Sequence, residues 1–409
     1  MTGMPELLAP AGNLRCLRTA VRFGADAVYL GGEQFSLRAK ARNFGEDELE
    51  AAVREAHAAG ARVYLALNIF AFDDDLAEME AAAARADEAG MDAVIVADIG
   101  AAERIHRARP AMPIHASTQA NVTNAAAAAV WARAGAVRII LARELSLARI
   151  AAMAKELRGG PELEAFVHGS MCMAWSGRCF LSEELNGRSA NRGLCTQPCR
   201  WSWTAAEAGK PQNRLWIEEN GAGSEIFSSR DLCMIGHLPE LREAGVSAFK
   251  IEGRTKSEYY TGVVTGAYRR RMETVFAGAP RTEEERELQT VSHRPYGTGF
   301  YFGSPERRRD DRTEPGEREY VGYVLEAVEG RALVEMKNRF YAGDPLEAVT
   351  PAGSVSFAAR EMVLADTGEA VPAVLVPGQR VLLPCPSAVQ SGDLLRGQLR
   401  NRRVDGGGR

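Results

Sequence analysis

The stretch that decides the fold reads Val63-Tyr64-Leu65-Ala66-Leu67, then Asp75 to Ala89, then Gly90, then Ala93-Val94-Ile95-Val96. A short β-branched and aromatic run is followed by an Ala/Glu/Arg-rich segment with helical spacing. A glycine suited to a helix C-terminus comes next, and then a second β-branched run. This is a β–α–β unit, whose two strands lie parallel.

The same unit recurs in both directions. Strand-like runs occur at Glu6-Leu7-Leu8-Ala9, Ala27-Val28-Tyr29-Leu30, Pro113-Ile114-His115-Ala116, Arg138-Ile139-Ile140-Leu141, Ala165-Phe166-Val167-His168 and Ala248-Phe249-Lys250-Ile251. With the first two they make eight. Helical segments such as Glu46 to Ala59 separate most of them, and Gly24, Gly60, Gly90, Gly135 and Gly245 stand just before a strand. Eight alternating units in roughly 250 residues match a closed (β/α)8 TIM-like barrel. An open doubly wound sheet is the competing arrangement, and the strand count favours the barrel.

Residues 1–280 are therefore expected to form the barrel, with an insertion at about 170–228 before the eighth strand. Residues 281–318 are charged and carry Pro and Gly, which reads as a linker. Short runs at Tyr320-Val321-Gly322-Tyr323-Val324, Ala332-Leu333-Val334-Glu335-Met336, Glu361-Met362-Val363-Leu364 and Arg380-Val381-Leu382-Leu383 predict a small all-β barrel domain over 319–400. Residues 401–409 read as a disordered tail. The net charge of −4 offers phosphate backbones no global attraction, so any nucleic-acid contact needs a local basic patch. No basic segment followed by an apolar run opens the chain, and no apolar run is long enough for a bilayer span. The expectation is a cytoplasmic protein with no membrane partner, in which disulfides are disfavoured.

Polar groups follow the strands, at the C-terminal rim where barrel active sites sit. They include Gly12-Asn13, Asn68, Asp98, Ser117, Gln119, Arg143-Glu144, His168-Gly169 and Glu252-Gly253-Arg254. Helix capping accounts well for the asparagines and serines. It accounts less well for His168, Glu252, Arg254 and Arg143, which are the candidate catalytic residues.

Four of the seven cysteines, Cys172, Cys179, Cys195 and Cys199, fall within 28 residues of the insertion, with six, fifteen and three residues between successive members. Four thiolates can hold an iron–sulfur cluster or tetrahedral zinc. The irregular spacing departs from paired zinc knuckles and favours iron–sulfur, with zinc as the alternative. Gly169 and Gly177 would let backbone N–H groups approach the sulfurs. Cys16 and Cys385 read as small buried hydrophobes, and Cys233 could replace Cys199 as fourth ligand. A Cys172–His168 hydrolytic pair is conceivable, but no third orienting group is evident, and neither a His-Glu-x-x-His helix nor a Gly-x-Ser-x-Gly elbow is present.

Six motifs together carry a family resemblance: Glu6-Leu7-Leu8-Ala9-Pro10-Ala11-Gly12-Asn13, Gly24-Ala25-Asp26-Ala27-Val28-Tyr29, Phe166-Val167-His168-Gly169, Ser176-Gly177-Arg178-Cys179, Asn191-Arg192-Gly193 with Cys195 and Cys199, and Lys250-Ile251-Glu252-Gly253-Arg254. On these the chain resembles the collagenase-like peptidases, peptidase family U32. The family name asserts proteolysis. The resemblance also implies oxygen-independent hydroxylation: of tRNA wobble uridine to 5-hydroxyuridine, of a ribosomal RNA cytidine, or in anaerobic ubiquinone synthesis by a paired set. It implies an iron–sulfur cluster, of the 4Fe–4S kind, on Cys172, Cys179 and Cys195, with Cys199 or a downstream residue as the fourth ligand. For the RNA-modifying members it implies prephenate as hydroxyl source, and the small β domain leans towards tRNA.

A dicarboxylate such as prephenate needs guanidinium partners, and Arg143, Arg178 and Arg254 lie at or near the rim. RNA could meet Arg269-Arg270-Arg271 or Arg307-Arg308-Arg309, with Tyr296, Phe300, Tyr301 and Phe302 for stacking. A peptidase and a non-catalytic RNA- or partner-binding scaffold are the alternative functions.

Overall fold

The computed structural model describes residues 3–37, 43–172, 174–200, 204–207, 210–216, 230–279, 283–303 and 314–399. Arg307-Arg308-Arg309 and the tail at 401–409 lie outside the described residues.

The eight strands are β1 (Glu6–Pro10), β2 (Ala27–Leu30), β3 (Arg62–Leu67), β4 (Ala93–Val96), β5 (Ile114–Ala116), β6 (Ala136–Ile140), β7 (Glu162–Ser170) and, after the insertion, β11 (Ala248–Ile251). Neighbours pair in parallel along the series, and β11 pairs with both β1 and β7. The sheet is therefore a closed barrel. An open sheet would have left two of these strands with an unpaired edge.

The helices between strands begin where a short polar side chain can accept from the first turn. Asn13 accepts from the Cys16 amide at the start of α1 (Leu14–Arg22), and Asp98 from the Ala101 amide at the start of α4 (Ile99–Ala108). These two rim residues are thus helix caps. Gly245 ends α8 (Leu238–Glu243) in the left-handed region at φ +100°, and a Cβ there would lie 2.5 Å from the Cβ of Ala154 on α6 (Leu147–Glu156).

In the insertion, β8 (Thr204–Glu207) and β9 (Lys210–Trp216) form a hairpin. Strand β10 (Asp231–Cys233) then runs antiparallel to the end of β7, and β12 (Tyr296–Gly297) pairs with β10. The 281–318 stretch expected as a linker is divided between two compact units, 293–314 going with the barrel and 285–292 with the second unit. Buried Arg294 fixes the first of these pieces by donating to Asp231 from its backbone and its guanidinium, at 2.7 to 3.1 Å.

The second unit is antiparallel. Its seven-stranded sheet has the order β17 (Gly353–Ala358), β16 (Pro345–Thr350), β21 (Leu394–Gln398), β13 (Arg318–Val328), β14 (Arg331–Met336), β20 (Arg380–Pro384), β18 (Val363–Leu364). Strands β15 (Phe340–Tyr341) and β19 (Ala373–Val374) pair separately. Val324, Val334, Phe340, Leu346, Leu383 and Leu395 form its core. No helix among the described residues is long and apolar enough to cross a membrane.

Gly245→Ala should lower stability by about 1–2 kcal/mol, the cost of a side chain in the left-handed region, plus whatever the Ala154 contact adds. A urea midpoint unchanged from wild type would contradict that packing.

Candidate active site at the barrel mouth

Strand alternation turns one set of side chains into the lumen. Tyr29, Ala66, Ile95, Ile140, Phe166 and Lys250 line a cavity that opens at the C-terminal ends of the strands, and Asn68, Ser117, Arg143, Glu252 and Arg254 continue its wall. The cavity encloses about 1170 Å3, counting space open to solvent.

Beneath it lies a buried chain of charges. Lys250 donates to Glu164 at 2.8 Å, and Arg138 reaches Glu164 at 3.3 Å, Glu6 at 2.6 Å and Glu162 at 2.7 Å. Glu164 is fully buried and Lys250 only 3% exposed. Burial pulls the Lys250 amine below its ordinary range, with Glu164 opposing. For Arg138 burial acts in the same sense, but Glu164 and Glu6 outweigh it and leave the guanidinium raised. The Tyr64 hydroxyl donates to Glu6 at 2.9 Å, and the Tyr64 ring meets His115 edge-on at 4.7 Å. Burial keeps His115 neutral, and Arg138 and Lys250 reinforce the effect.

The insertion lies over the opening, tied to three strand–helix loops. Arg192 binds the Asp75 carboxylate and the Phe70 carbonyl beyond β3. Trp175 donates to Asn121 at 2.6 Å beyond β5. The Ser176 amide and hydroxyl donate to Glu144 at 2.6 and 2.8 Å beyond β6. Across this span Ala174, Ser176, Cys179 and Leu181 line the cavity, and so do Cys172, Cys195 and Cys199.

The four cysteines expected as ligands thus all line this one cavity, and none of them is in a disulfide. Soft sulfur donors suit an iron–sulfur cluster or zinc. Arg143, Arg254 and Lys250, which line the same cavity, suit the negative charge of thiolates. Among the described residues no three His, Cys, Asp or Glu side chains are drawn close enough to hold a metal ion. The donor chemistry suits an inorganic cofactor, but the thiols line the cavity without being gathered into a ligand set. Cys199 is among them. Cys233 is not: it lies on β10 opposite His168.

Arg143, Glu252 and Arg254 stand where the sequence placed them. Arg143 donates to the Ser170 carbonyl at 2.8 Å, contacts Glu252 at 3.4 Å and lies over the Phe166 ring at 4.1 Å. Arg254 donates to the Ser36 hydroxyl.

Four other candidates do not line the cavity. The register shifts between Lys250 and Ile251, leaving Val167 without a partner on β11, and this turns His168 out of the lumen. There it is 1% exposed and packed against Tyr260, Tyr268 and Tyr296, with the Tyr268 hydroxyl 3.4 Å from Nδ1. Gly169, at φ +108°, lets β7 approach the Glu252 carbonyl, which an added Cβ would meet at 2.5 Å. Gly177 sits in the short turn Trp175–Gly177, and exposed Arg178 donates to the Gln119 carbonyl at 3.2 Å.

Several of the expected RNA groups are engaged within the fold, while Phe302 stays 55% exposed. Arg269 pairs with Asp26 at 2.6 Å and Arg271 donates to the Ile235 carbonyl. Tyr301 is buried on the Phe166 carbonyl, and Tyr296 stacks on His293 at 4.0 Å. Lys250, Glu164 and Arg138 were missed, although Lys250 shares a strand face with Glu252, two residues on, and that spacing could have revealed it.

Fold and site together define a (β/α)8-barrel protein whose mouth is roofed by a thiol-bearing loop over buried cations. Residues 12–311 match peptidase family U32 and residues 317–396 match the family's C-terminal domain. The chain belongs to that family. It is 34% identical to tRNA hydroxylation protein P of Escherichia coli, over 94% of this chain and 95% of the relative. It is 37% identical to the 23S rRNA 5-hydroxycytidine synthase of the same organism, over 70% of this chain and 41% of the relative. It is 29% identical to a collagenase of Porphyromonas gingivalis, over 95% and 97%.

Replacing one member of the buried charge chain strands its partner. Lys250→Met should cost about 3–5 kcal/mol in denaturant unfolding, and adding Glu164→Gln should restore part of that loss. A double-variant loss equal to the sum of the two single-variant losses would show that the two side chains are not coupled.

Burial pushes the His168 pKa down to about 3 from its ordinary 6.5, with Asp231 opposing. Across that window the unfolded chain binds a proton that the folded chain does not, so stability falls as the pH drops from 6.5 towards 3. His168→Asn should flatten the profile by up to about 1.4 kcal/mol per pH unit. Superimposable profiles for variant and wild type would assign the acid sensitivity to other groups.

Proposed function

We propose that the chain is an RNA hydroxylation enzyme that forms 5-hydroxyuridine in tRNA without oxygen. On this reading it uses an iron–sulfur cluster of the 4Fe–4S kind and a prephenate-like dicarboxylate as hydroxyl source. The observation that carries the reading is the shared cavity, lined both by Cys172, Cys179, Cys195 and Cys199 and by Arg143, Lys250 and Arg254. The relatives named for tRNA and rRNA hydroxylation support the RNA substrate.

When bound, the cluster supplies one-electron chemistry that amino-acid side chains lack. The chain's own residues bind and orient. Arg143 and Arg254 offer planar donor forks to two carboxylates. Glu252, in contact with Arg143, holds that fork in place and presents a carboxylate as proton acceptor. Lys250, aimed into the lumen by Glu164, adds a buried cation or hydrogen-bond donor at the floor. The loop ties at Asp75, Asn121 and Glu144 keep the thiol-bearing segment over this floor.

The peptidase alternative requires a base beside a thiol. His168 lies behind the lumen wall, buried among Tyr260, Tyr268 and Tyr296, so it does not serve Cys172.

Nucleosides from tRNA and rRNA of cells lacking the gene, read by mass spectrometry, should lack 5-hydroxyuridine, and the Cys179→Ala gene should not restore it. An unchanged nucleoside profile overturns the reaction. Colourless, anaerobically purified protein carrying stoichiometric zinc overturns the cluster.

A further inference from the structure

The roof segment has two faces. Ala174, Ser176, Cys179 and Leu181 point into the cavity, while Trp175, Arg178 and Phe180, interleaved with them, are exposed. Trp175 is 53% and Phe180 74% exposed, two of only four Phe or Trp side chains so exposed among the described residues. An isolated exposed hydrophobic residue is ordinary. Two aromatics five residues apart, each next to a residue of the cavity wall, are not scattered.

Both neighbours of the open rings are fixed. The Trp175 indole N–H is held by Asn121 at 2.6 Å. The Arg178 guanidinium is held by the Gln119 carbonyl and lies 5.5 Å from the Phe70 ring centre, with no carboxylate paired to it among the described residues. Arg188, on the same segment, is exposed. Residues 174–200 hold four arginines and two glutamates, a net of +2 (4 − 2) that falls to +1 once Arg192 is counted with its partner Asp75, in a chain whose formal net charge is −4. The glutamates, Glu183 and Glu184, are exposed one turn beyond Phe180, so phosphates would have to track along the Arg178 and Arg188 side.

We propose that the outer face of this segment, built on Trp175, Arg178 and Phe180, is a stacking platform for unpaired RNA bases beside the cavity mouth. The inference rests on the reading of the chain as an RNA-acting enzyme and adds to it the place where the strand lies. Open aromatic faces bind base planes, which a paired helix hides, and arginines beside them meet the phosphates. The Trp175 ring, already held through its indole N–H, loses little freedom on binding. A base beyond the stacked ones then has the cavity beneath it, on the far side of the same loop.

The test measures binding of the full-length protein, purified anaerobically, to a fluorescent RNA hairpin with a uridine-containing unpaired loop and to a blunt duplex of equal length. The hairpin should bind more tightly than the duplex. Phe180→Ala and Trp175→Ala should each weaken hairpin binding roughly tenfold, while Phe180→Tyr, which keeps the ring, and Val137→Ala, at the other end of the barrel, should not. Arg178→Gln should reduce the salt slope of binding by about 0.7. Wild-type binding with no loss in the two alanine variants overturns the platform and leaves the RNA reading standing; the aromatics would then belong to a protein partner. Equal affinity for duplex and hairpin overturns it as well. Wild type that binds neither RNA overturns the RNA reading and the platform with it. Matching thermal midpoints for Phe180→Ala and wild type keep the comparison free of unfolding.

Discussion

Strand β11 is hydrogen-bonded on both flanks, to β1 and to β7, and everything at the mouth depends on this closure. A strand paired on one side only would leave Lys250, Glu252 and Arg254 at a sheet edge facing solvent. Paired on both, it sends these alternate residues into one lumen. The charge chain from Lys250 through Glu164 and Arg138 to Glu6 then links β11 to β7, β6 and β1. Apolar residues of similar volume would often stabilise a barrel floor as well or better. A polar floor retained under a cavity is therefore better explained by what it does to the cavity. It holds an ammonium group at the base of a pocket walled by two guanidinium groups.

The fold was legible because the evidence for it is local and repeated. Eight β-branched runs, the helical segments between them and the glycines at helix ends each depend on residues within one unit, and strand count alone separated barrel from open sheet. The four thiols were legible for the same reason, being close in sequence and carried by one insertion. Asn13 and Asp98 show the limit of this kind of reading. A polar residue after a strand looks the same in sequence whether it caps the next helix or faces a substrate, and both proved to be caps.

What stayed hidden depends on distant pairing. Alternation along Phe166-Val167-His168 predicts that His168 faces the lumen with Phe166, and it would do so in a regular strand. The slip opposite Lys250 and Ile251 removes one pairing step and turns His168 towards Tyr260 and Tyr268, and nothing within the strand announces a slip set by its partner. The roof ties likewise join Arg192 to Asp75 and Ser176 to Glu144, and no local pattern encodes those contacts. The basic run at 269–271 looked like a surface for RNA, yet Arg269 and Arg271 are used for bonds within the barrel unit. Charge density in a sequence does not show which charges are already neutralised.

The contrast between barrel and roof carries a final consequence. The barrel is held by continuous strand ladders and a dense apolar core, whereas the described part of the roof is held largely by side-chain hydrogen bonds and ion pairs to three loops. Segments fastened in that way open at lower free energy than a barrel core does. Metal binding by thiolates releases protons and adds its own free energy to the order of the chain that supplies them. A roof with thiols inside and open aromatics outside would therefore couple its two faces: whatever orders the inner wall also fixes the outer one.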